Sequence, residues 1–401
     1  MIDLVPLIIG LFLVAAFLRI DTFFHVVYML TAVYILSRVW SHASMRQLDA
    51  QRDLVNRAFP GEDIRVQLKV RNRGRLPVPW VEIHDALPVE MISPPFYREV
   101  ISLGPRQERQ FEYTLEARKR GYYVIGPLIW RTGDLMGAAR QLAATHPAEY
   151  IIVYPRVVGL EKLRLPTHSP LAHLPAPAPL FEDPSRVMGV RPYTAGDSPR
   201  RIHWTATAAT GQLLVKRYQP AIARETLVCL DLDRDDYEIK RLYEATELAI
   251  VAAASIANHI IVREGLSAGL STQARDPLEG KIAQMNAPPR RERDCLMSIL
   301  ELLARAESYN RVDAEAEGAL SFPEFLRRRG MALSWGTTVV VVTGAETEQL
   351  YDSLVYLRHR GFVVALVLVM PPPTPRSLVG RAQVAGVAVH TIWREEELKT
   401  L

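Results

Sequence analysis

Two apolar stretches near the N-terminus, Leu4 to Leu18 and Phe23 to Ser37, constrain the fold of this chain more than any other feature. The first carries no charge, Arg19-Ile20-Asp21-Thr22 interrupts, and the second is again apolar apart from His25. A membrane-spanning helix needs about 17 to 25 residues, a length each stretch reaches once its flanks are counted and its ends snorkel. The expectation is a transmembrane helical hairpin over residues 1–45. A cleaved signal peptide fits less well, because no basic segment precedes Leu4, no clear small-residue cleavage site follows, and a second apolar stretch comes after it. Arg38, Arg46 and Arg52 follow the second stretch closely, whereas the turn has one Arg beside one Asp. The positive-inside rule then predicts a two-pass protein of the cell (inner) membrane with its soluble domains in the cytoplasm. His25 reads as an interfacial or helix-contact residue rather than a proton relay.

The chain has 401 residues, 49% hydrophobic and 23% charged, enough for two or three globular domains. Two cysteines, Cys229 and Cys295, are too few for a disulfide framework and favour a reducing compartment. A net charge of +4, from 48 basic and 44 acidic residues, gives no electrostatic case for a nucleic-acid partner.

Residues 46–160 read as an all-β domain. Ile64 to Val70 and Gln110 to Leu115 alternate polar and apolar residues, and Val78 to Ile83 follows a turn at Asn72-Arg73-Gly74. Turn residues recur at Pro60-Gly61, Pro94-Pro95, Gly104-Pro105, Gly121 and Gly126-Pro127. Short strands at this spacing predict an immunoglobulin-like sandwich without a disulfide, a spacer or docking module rather than a chemical one. Residues 161–185 read as a Pro-rich linker, extended by Pro166, Pro170, Pro175, Pro177 and Pro179.

Over 186–401 the pattern changes to alternating strands and helices. Thr226 to Leu230 is an apolar run, Tyr237 to Val262 a long helical candidate, Leu266 to Ser271 a strand and Asp294 to Ala306 a helix. Thr337 to Val342, Glu346 to Arg358, Phe362 to Val369, Pro375 to Ala382 and Val387 to Ile392 continue the series. This order implies an α/β domain with a mostly parallel sheet covered on both faces. The fold class is therefore multidomain: helical hairpin, all-β sandwich, then α/β.

The run Gly189 to Tyr218 reads GVRPYTAGDSPRRIHWTATAATGQLLVKRY. Gly196-Asp197-Ser198-Pro199 is a turn signal, Arg200 and Arg201 bracket it, and Leu213 to Tyr218 alternates like a strand. The run closely resembles the signature of the domain-of-unknown-function 58 (DUF58) family. Its pattern is carried here by Gly189, Arg191, Tyr193, Gly196, Asp197, Arg200, Arg201, His203, Trp204 and Lys216. Arg120-Gly121-Tyr122-Tyr123, Gly126-Pro127, Asp134 and Tyr154-Pro155-Arg156 also resemble the stretch before that signature. The resemblance implies a von Willebrand factor A-like (Rossmann-like) α/β domain and a MoxR-type AAA+ ATPase as partner.

In such a sheet ligands gather at the carboxyl ends of the strands, where Asp231-Leu232-Asp233-Arg234-Asp235 follows the first strand. Metal-binding von Willebrand A domains have Asp-x-Ser-x-Ser there and Thr-Asp-Gly at a later strand end. Here Asp233 and Asp235 replace both serines, and Val342-Thr343-Gly344 lacks the later Asp. Three carboxylates so close could still hold Mg²⁺ through oxygen ligands, and without a metal one or more should have a raised pKa. The alternative is that Asp231 caps a helix and the others are solvated. An EF-hand is excluded, since Asp236 and Leu242 occupy its Gly and terminal Glu positions. A haloacid-dehalogenase-type Asp-x-Asp phosphatase, with Thr343 after its second strand, lacks the acidic pair closing a later strand.

His203 could be imagined as a base for Ser198 or Thr205, but the family resemblance admits Asp at that position, which suits a structural hydrogen bond better. Trp204 and Tyr193 are expected to pack against the sheet edge. Arg191, Arg200, Arg201 and Arg217 are either solvated and internally paired or receive an acidic partner or phosphate. The expected function is that of a membrane-anchored, non-enzymatic interaction and assembly protein, partnering a MoxR-type ATPase in maturation or remodelling of envelope complexes. The alternatives are a divalent-metal-dependent hydrolase using Asp231, Asp233 and Asp235, and a nucleic-acid surface built on the signature arginines.

Overall fold

A computed structural model describes residues 4–18, 21–92, 94–133, 142–161, 182–194, 197–220, 225–371 and 377–400. The chain divides into two compact units, Met1–Arg156 with Leu303–Arg305, and Val157–Leu302 with Ala306–Leu401. Most of the predicted linker, as well as Asp134 and Gly196, lies outside the described residues.

The first unit begins with two helices, α1 (Leu4–Leu18) and α2 (Asp21–Gln47). They pack together, with the rings of Phe12 and Phe24 edge to face at 6.1 Å. The 27 residues of α2 are long and apolar enough to cross a membrane, and only 6% of its apolar window is buried. The 15 residues of α1 fall short of the roughly 20 that a spanning helix uses. Ile239–Arg263 passes the same length and hydropathy test but is 83% buried, because it is the core helix of the second unit.

No residue separates α2 from β1 (Leu48–Leu54). After it come β2 (Arg57–Ala58), β3 (Asp63–Asn72), β4 (Val78–Ala86), β5 (Phe96–Leu103) and β6 (Glu108–Glu116). The series closes with β7 (Gly121–Ile125), β8 (Leu128–Thr132), β9 (Leu142–His146) and β10 (Glu149–Val153). They form sheets ordered β1-β3-β6, β5-β4-β8-β9 and β2-β10-β7 around one hydrophobic core. The alternation read in Ile64 to Val70 is the burial pattern of β3, whose Ile64, Val66, Leu68 and Val70 all point inward. The same period sends Arg52 inward from β1, which removes it from the membrane-side cations counted above. It is 8% exposed, and its Nη1 donates to Asp85 Oδ1 at 2.7 Å. Tyr113 donates to the other Asp85 oxygen, also at 2.7 Å.

The second unit opens with a ribbon of β11 (Glu182–Pro192) and β12 (Leu214–Pro220), joined through the short helix α3 (Trp204–Thr210). Next come β13 (Glu225–Leu230), α4 (Leu242–Asn258), β14 (Ser267–Asp276), β15 (Lys281–Arg290), α5 (Arg293–Arg305), α6 (Arg311–Ala316) and α7 (Phe322–Met331). The unit ends with β16 (Thr338–Thr343), α8 (Glu348–His359), β17 (Val363–Val369), α9 (Ser377–Val384) and β18 (Ala388–Ile392). The six-stranded sheet runs β15-β14-β13-β16-β17-β18, parallel except for β15. Counted along this sheet the order is 3-2-1-4-5-6, so the topological switch point lies between β13 and β16. Their apolar runs are buried on both faces, as parallel strands between helices require. Ala245, Ala249, Ala252 and Ala253 let α4 approach the sheet closely. The helix expected from Tyr237 starts at Leu242, because Tyr237 is buried and donates its hydroxyl to the Asp231 carbonyl at 2.7 Å.

Candidate functional site

Asp231 stands at the carboxyl end of β13, beside the switch point, and is 1% exposed. Its Oδ1 accepts from the Asp233 N–H at 3.0 Å and its Oδ2 from the Thr343 hydroxyl at 2.7 Å. Asp233 is also buried, with Oδ1 accepting from the Asp235 N–H at 3.1 Å. Its Oδ2 accepts from Arg311 Nε at 2.9 Å. Arg311 Nη2 donates to Asp236 Oδ1 at 2.8 Å, and the Arg311 backbone N–H to Asp235 Oδ2 at 3.2 Å. One guanidinium therefore serves as counter-cation to the acidic loop.

Burial holds the Asp231 carboxyl well above the ordinary carboxylate range, reinforced by the negative Asp236. Burial raises Asp233 too, against the hydrogen bond from Asp235 and the charge of Arg311. The loop is tightly built: a Cβ at Gly344 would stand 2.5 Å from the Tyr237 ring and 2.7 Å from the Asp236 carbonyl.

This geometry does not fit a metal. Both oxygens of Asp231 are engaged, Thr343 donates to it where metal binders carry Asp, and Arg311 occupies the outer edge of Asp233 and Asp236. Among the described residues no group of three His, Cys, Asp or Glu side chains could hold a metal ion. Asp231, Asp233 and Asp235, expected as a Mg²⁺ site, are instead engaged by Thr343, Arg311 and the loop's own backbone N–H groups. Asp231 is buried, with one hydrogen bond on each carboxylate oxygen. The alternative of a helix cap with solvated neighbours also fails for Asp233, which is buried and caps a single 3₁₀ turn over Arg234–Asp236.

Sequence reasoning missed Arg311, which lies 78 residues from Asp233. The local sequence signals only the start of α6, where Asn310 Oδ1 accepts from the Asp313 N–H at 2.8 Å.

The signature residues gather on the β11–β12 ribbon, a sheet separate from the six-stranded one. Arg191 forks onto Asp197 with contacts of 2.7 and 2.6 Å, and Thr194 adds its N–H and hydroxyl at 2.9 Å each. The Arg191 bonds, followed by the Thr194 N–H, hold the Asp197 carboxyl far below the ordinary range. These bonds tie Asp197 back to Arg191 at the end of β11 and to Thr194. Pro199–Arg201 then forms a 3₁₀ turn with Arg200 exposed and Arg201 half-buried.

His203 caps α3, its Nδ1 accepting from the Ala206 N–H at 3.1 Å, so Nε2 carries the ring proton. Among the described residues it makes no hydrogen bond to Ser198 or Thr205. The far end of α3 is closed by Gly211 at φ 71°, a left-handed cap that favours glycine. The helix is fixed to the ribbon by His203 N–H on the Leu214 carbonyl and by Leu214 N–H on the Thr207 hydroxyl. Trp204 does not pack against a sheet edge as expected. It begins α3 and is 67% exposed, with Tyr193 38% exposed. Lys216 is half-buried on β12, and Gly189 pairs with Arg217 in the ladder.

Among known proteins, the chain is similar to the uncharacterized protein YeaD of Bacillus subtilis (strain 168), 24% identical over 238 residues. That alignment covers 58% of this chain and 57% of YeaD, so the chain spans little more than half of that relative's length. The CARDB domain of the PF1109 protein from Pyrococcus furiosus aligns with 26% of this chain and 91% of its own, at 19% identity and a TM-score of 0.20. A β-glucosidase from Listeria innocua aligns with 26% of this chain and 16% of its own, at 12% identity and a TM-score of 0.18. Likenesses at these scores bear on neither fold nor function. The family model described as "Protein of unknown function DUF58" matches residues 189–392, from the first signature glycine to the end of β18. Since that match takes in just over half of the chain, with the end of β11, all of β12 and the whole six-stranded sheet, the protein belongs to the DUF58 family.

Proposed function

We propose that this is a membrane-anchored, non-enzymatic interaction protein whose α/β domain is von Willebrand factor A-like. In this reading α1 and α2 form the two-pass anchor, the β strands form an immunoglobulin-like spacer, and the soluble domains face the cytoplasm. The strand order with its antiparallel third strand supports the von Willebrand A-like assignment, and the Arg38 and Arg46 charges after α2 support the orientation.

The observation that carries the proposal is Trp204, a large aromatic held 67% exposed on a helix capped at both ends and tied to the ribbon. Exposed aromatics beside arginines are the side chains that dominate protein interfaces. Arg200, four residues earlier in the chain, is exposed and offers a cation to an acidic partner surface. The partner proposed is a MoxR-type AAA+ ATPase acting in maturation or remodelling of envelope complexes.

The test is binding of the full chain, in lipid nanodiscs, to a cognate MoxR-type ATPase, with ATP turnover followed in parallel. Binding that weakens at least tenfold in Trp204→Ala supports the reading. No binding and no change in turnover would remove the ATPase as partner.

A further inference from the structure

The last three turns of α2 present two unlike sides. One is fixed to the β domain: Trp40 Nε1 donates to the Pro77 carbonyl at 3.0 Å, Ser41 and Ser44 are buried, and Met45 packs on the domain core. At about 100° per residue the neighbouring side carries Arg38, His42 and Arg46, one exposed line with a four-residue repeat. Ile35 and Val39 lie beside it, 55% and 61% exposed. With Ala43 these residues form a shallow, open groove along the helix that contains no carboxylate. Arg38 Nη1 donates to the Tyr34 hydroxyl at 3.0 Å, and His42 Nδ1 donates to the Arg38 carbonyl at 2.8 Å. Arg46 has no hydrogen bond or ion pair with any described residue.

The axial position of this line identifies its ligand. From Asp21 to Arg38 the helix rises about 26 Å, close to the ~30 Å thickness of a bilayer's hydrocarbon core. His42 and Arg46 follow about 6 and 12 Å further out, so the cations begin where hydrocarbon ends and continue through the headgroup layer. Resting on the membrane reading above, we propose that this face of α2 binds the phosphate of an anionic phospholipid. Arg38 and Arg46 are the cations, His42 lies between them, and Ile35, about one turn toward the membrane from Arg38, lies against the upper acyl chain. Arginine suits the role because its fork matches phosphate oxygens. The exposed Ile35 below Arg38 favours a lipid over a soluble anion, which would have no use for it.

The experiment reconstitutes the full chain in nanodiscs of phosphatidylcholine with a minority of phosphatidylglycerol, and counts retained lipids by native mass spectrometry. Phosphatidylglycerol should be retained over phosphatidylcholine by roughly tenfold or more, a preference lost in Arg38→Gln/Arg46→Gln and kept in Arg38→Lys/Arg46→Lys. Equal preference in the wild type and the Gln variant would overturn the site. So would displacement of the lipid by millimolar inorganic phosphate, which would assign the groove to a soluble anion. Carbonate extraction of native membranes separates the two readings. A chain that stays in the membrane without the lipid preference defeats the site alone, and a chain released by carbonate defeats the membrane reading and the site together.

Discussion

The hydroxyl of Thr343 donates to the carboxyl of Asp231 across 2.7 Å, tying β16 to β13 at the point where the strand order reverses. Because Asp231 is desolvated there, its folded-state pKa lies above the unfolded value of about 3.9, and the carboxyl gains proton occupancy on folding. Stability from this group is greatest at the acid end of that window and falls as pH rises through it. Asp233 and Asp85, also raised by burial, add slope of the same sign. Asp197, whose carboxyl is held low by Arg191, contributes its opposite slope only below about pH 4. The urea midpoint of the full chain should therefore fall as pH rises above about 4, and fall less steeply in Asp231→Asn. An identical slope in the variant would mean that Asp231 is not the group that titrates.

Among the described residues Arg311 is the cation paired with the acidic loop. Arg311→Ala is expected to destabilise by about 1–3 kcal/mol, the range for charged hydrogen bonds, reduced from a fully buried pair because Arg311 is partly exposed. Arg311→Lys should fall between, keeping the charge but losing the two-pronged contact. Calorimetric titration of the wild type with Mg²⁺, Mn²⁺ and Ca²⁺ should show no saturable heat. Saturable binding that vanished in Asp231→Ala would restore the metal site.

The Arg52–Asp85 pair has both side chains fully buried, and Tyr113 completes the carboxylate. Asp85→Ala removes the nearest partner of buried Arg52, which keeps Glu149 at 3.3 Å, so the loss in chemical denaturation should lie at the lower end of the ~3–5 kcal/mol expected for breaking a buried pair. Tyr113→Phe, which deletes one bond to a charged group, should cost about 1.5–3 kcal/mol. Comparable small losses in both variants would show that the pair is hydrated in solution.

Stability and recognition should separate at adjacent signature positions. His203→Ala loses the α3 cap at about 1 kcal/mol, whereas His203→Asp, another capping side chain, should be close to neutral. Trp204→Ala should leave thermal unfolding nearly unchanged, since the ring is mostly exposed, while weakening partner binding. A fall in melting temperature for Trp204→Ala as large as for Asp85→Ala would mean that the ring is buried in solution.

Elements governed by local periodicity were legible in the sequence. Ile64 to Val70 announces β3 by period two, and the apolar run before Asp231 announces a strand buried on both faces. What could not be read were pairings between residues distant in the chain. Arg52 looked like a membrane-flanking cation because its partner, Asp85, is 33 residues away on another strand. The three aspartates looked like a ligand set because Arg311 has no local pattern that foretells its reach. Trp204 was expected to be covered, the usual fate of a large ring, but heading a short capped helix leaves it in solvent.

The junction of α2 with β1 has a mechanical consequence. Gln47 ends the helix and Leu48 already pairs with Asn72, so no unpaired residue lies between them to act as a swivel. A torque that turns α2 about its own axis is delivered undamped to the first strand, and through the ladder to β3 and β6. The helix and that sheet behave as a crankshaft, so the β domain follows whatever rotation the surroundings of α2 impose on it.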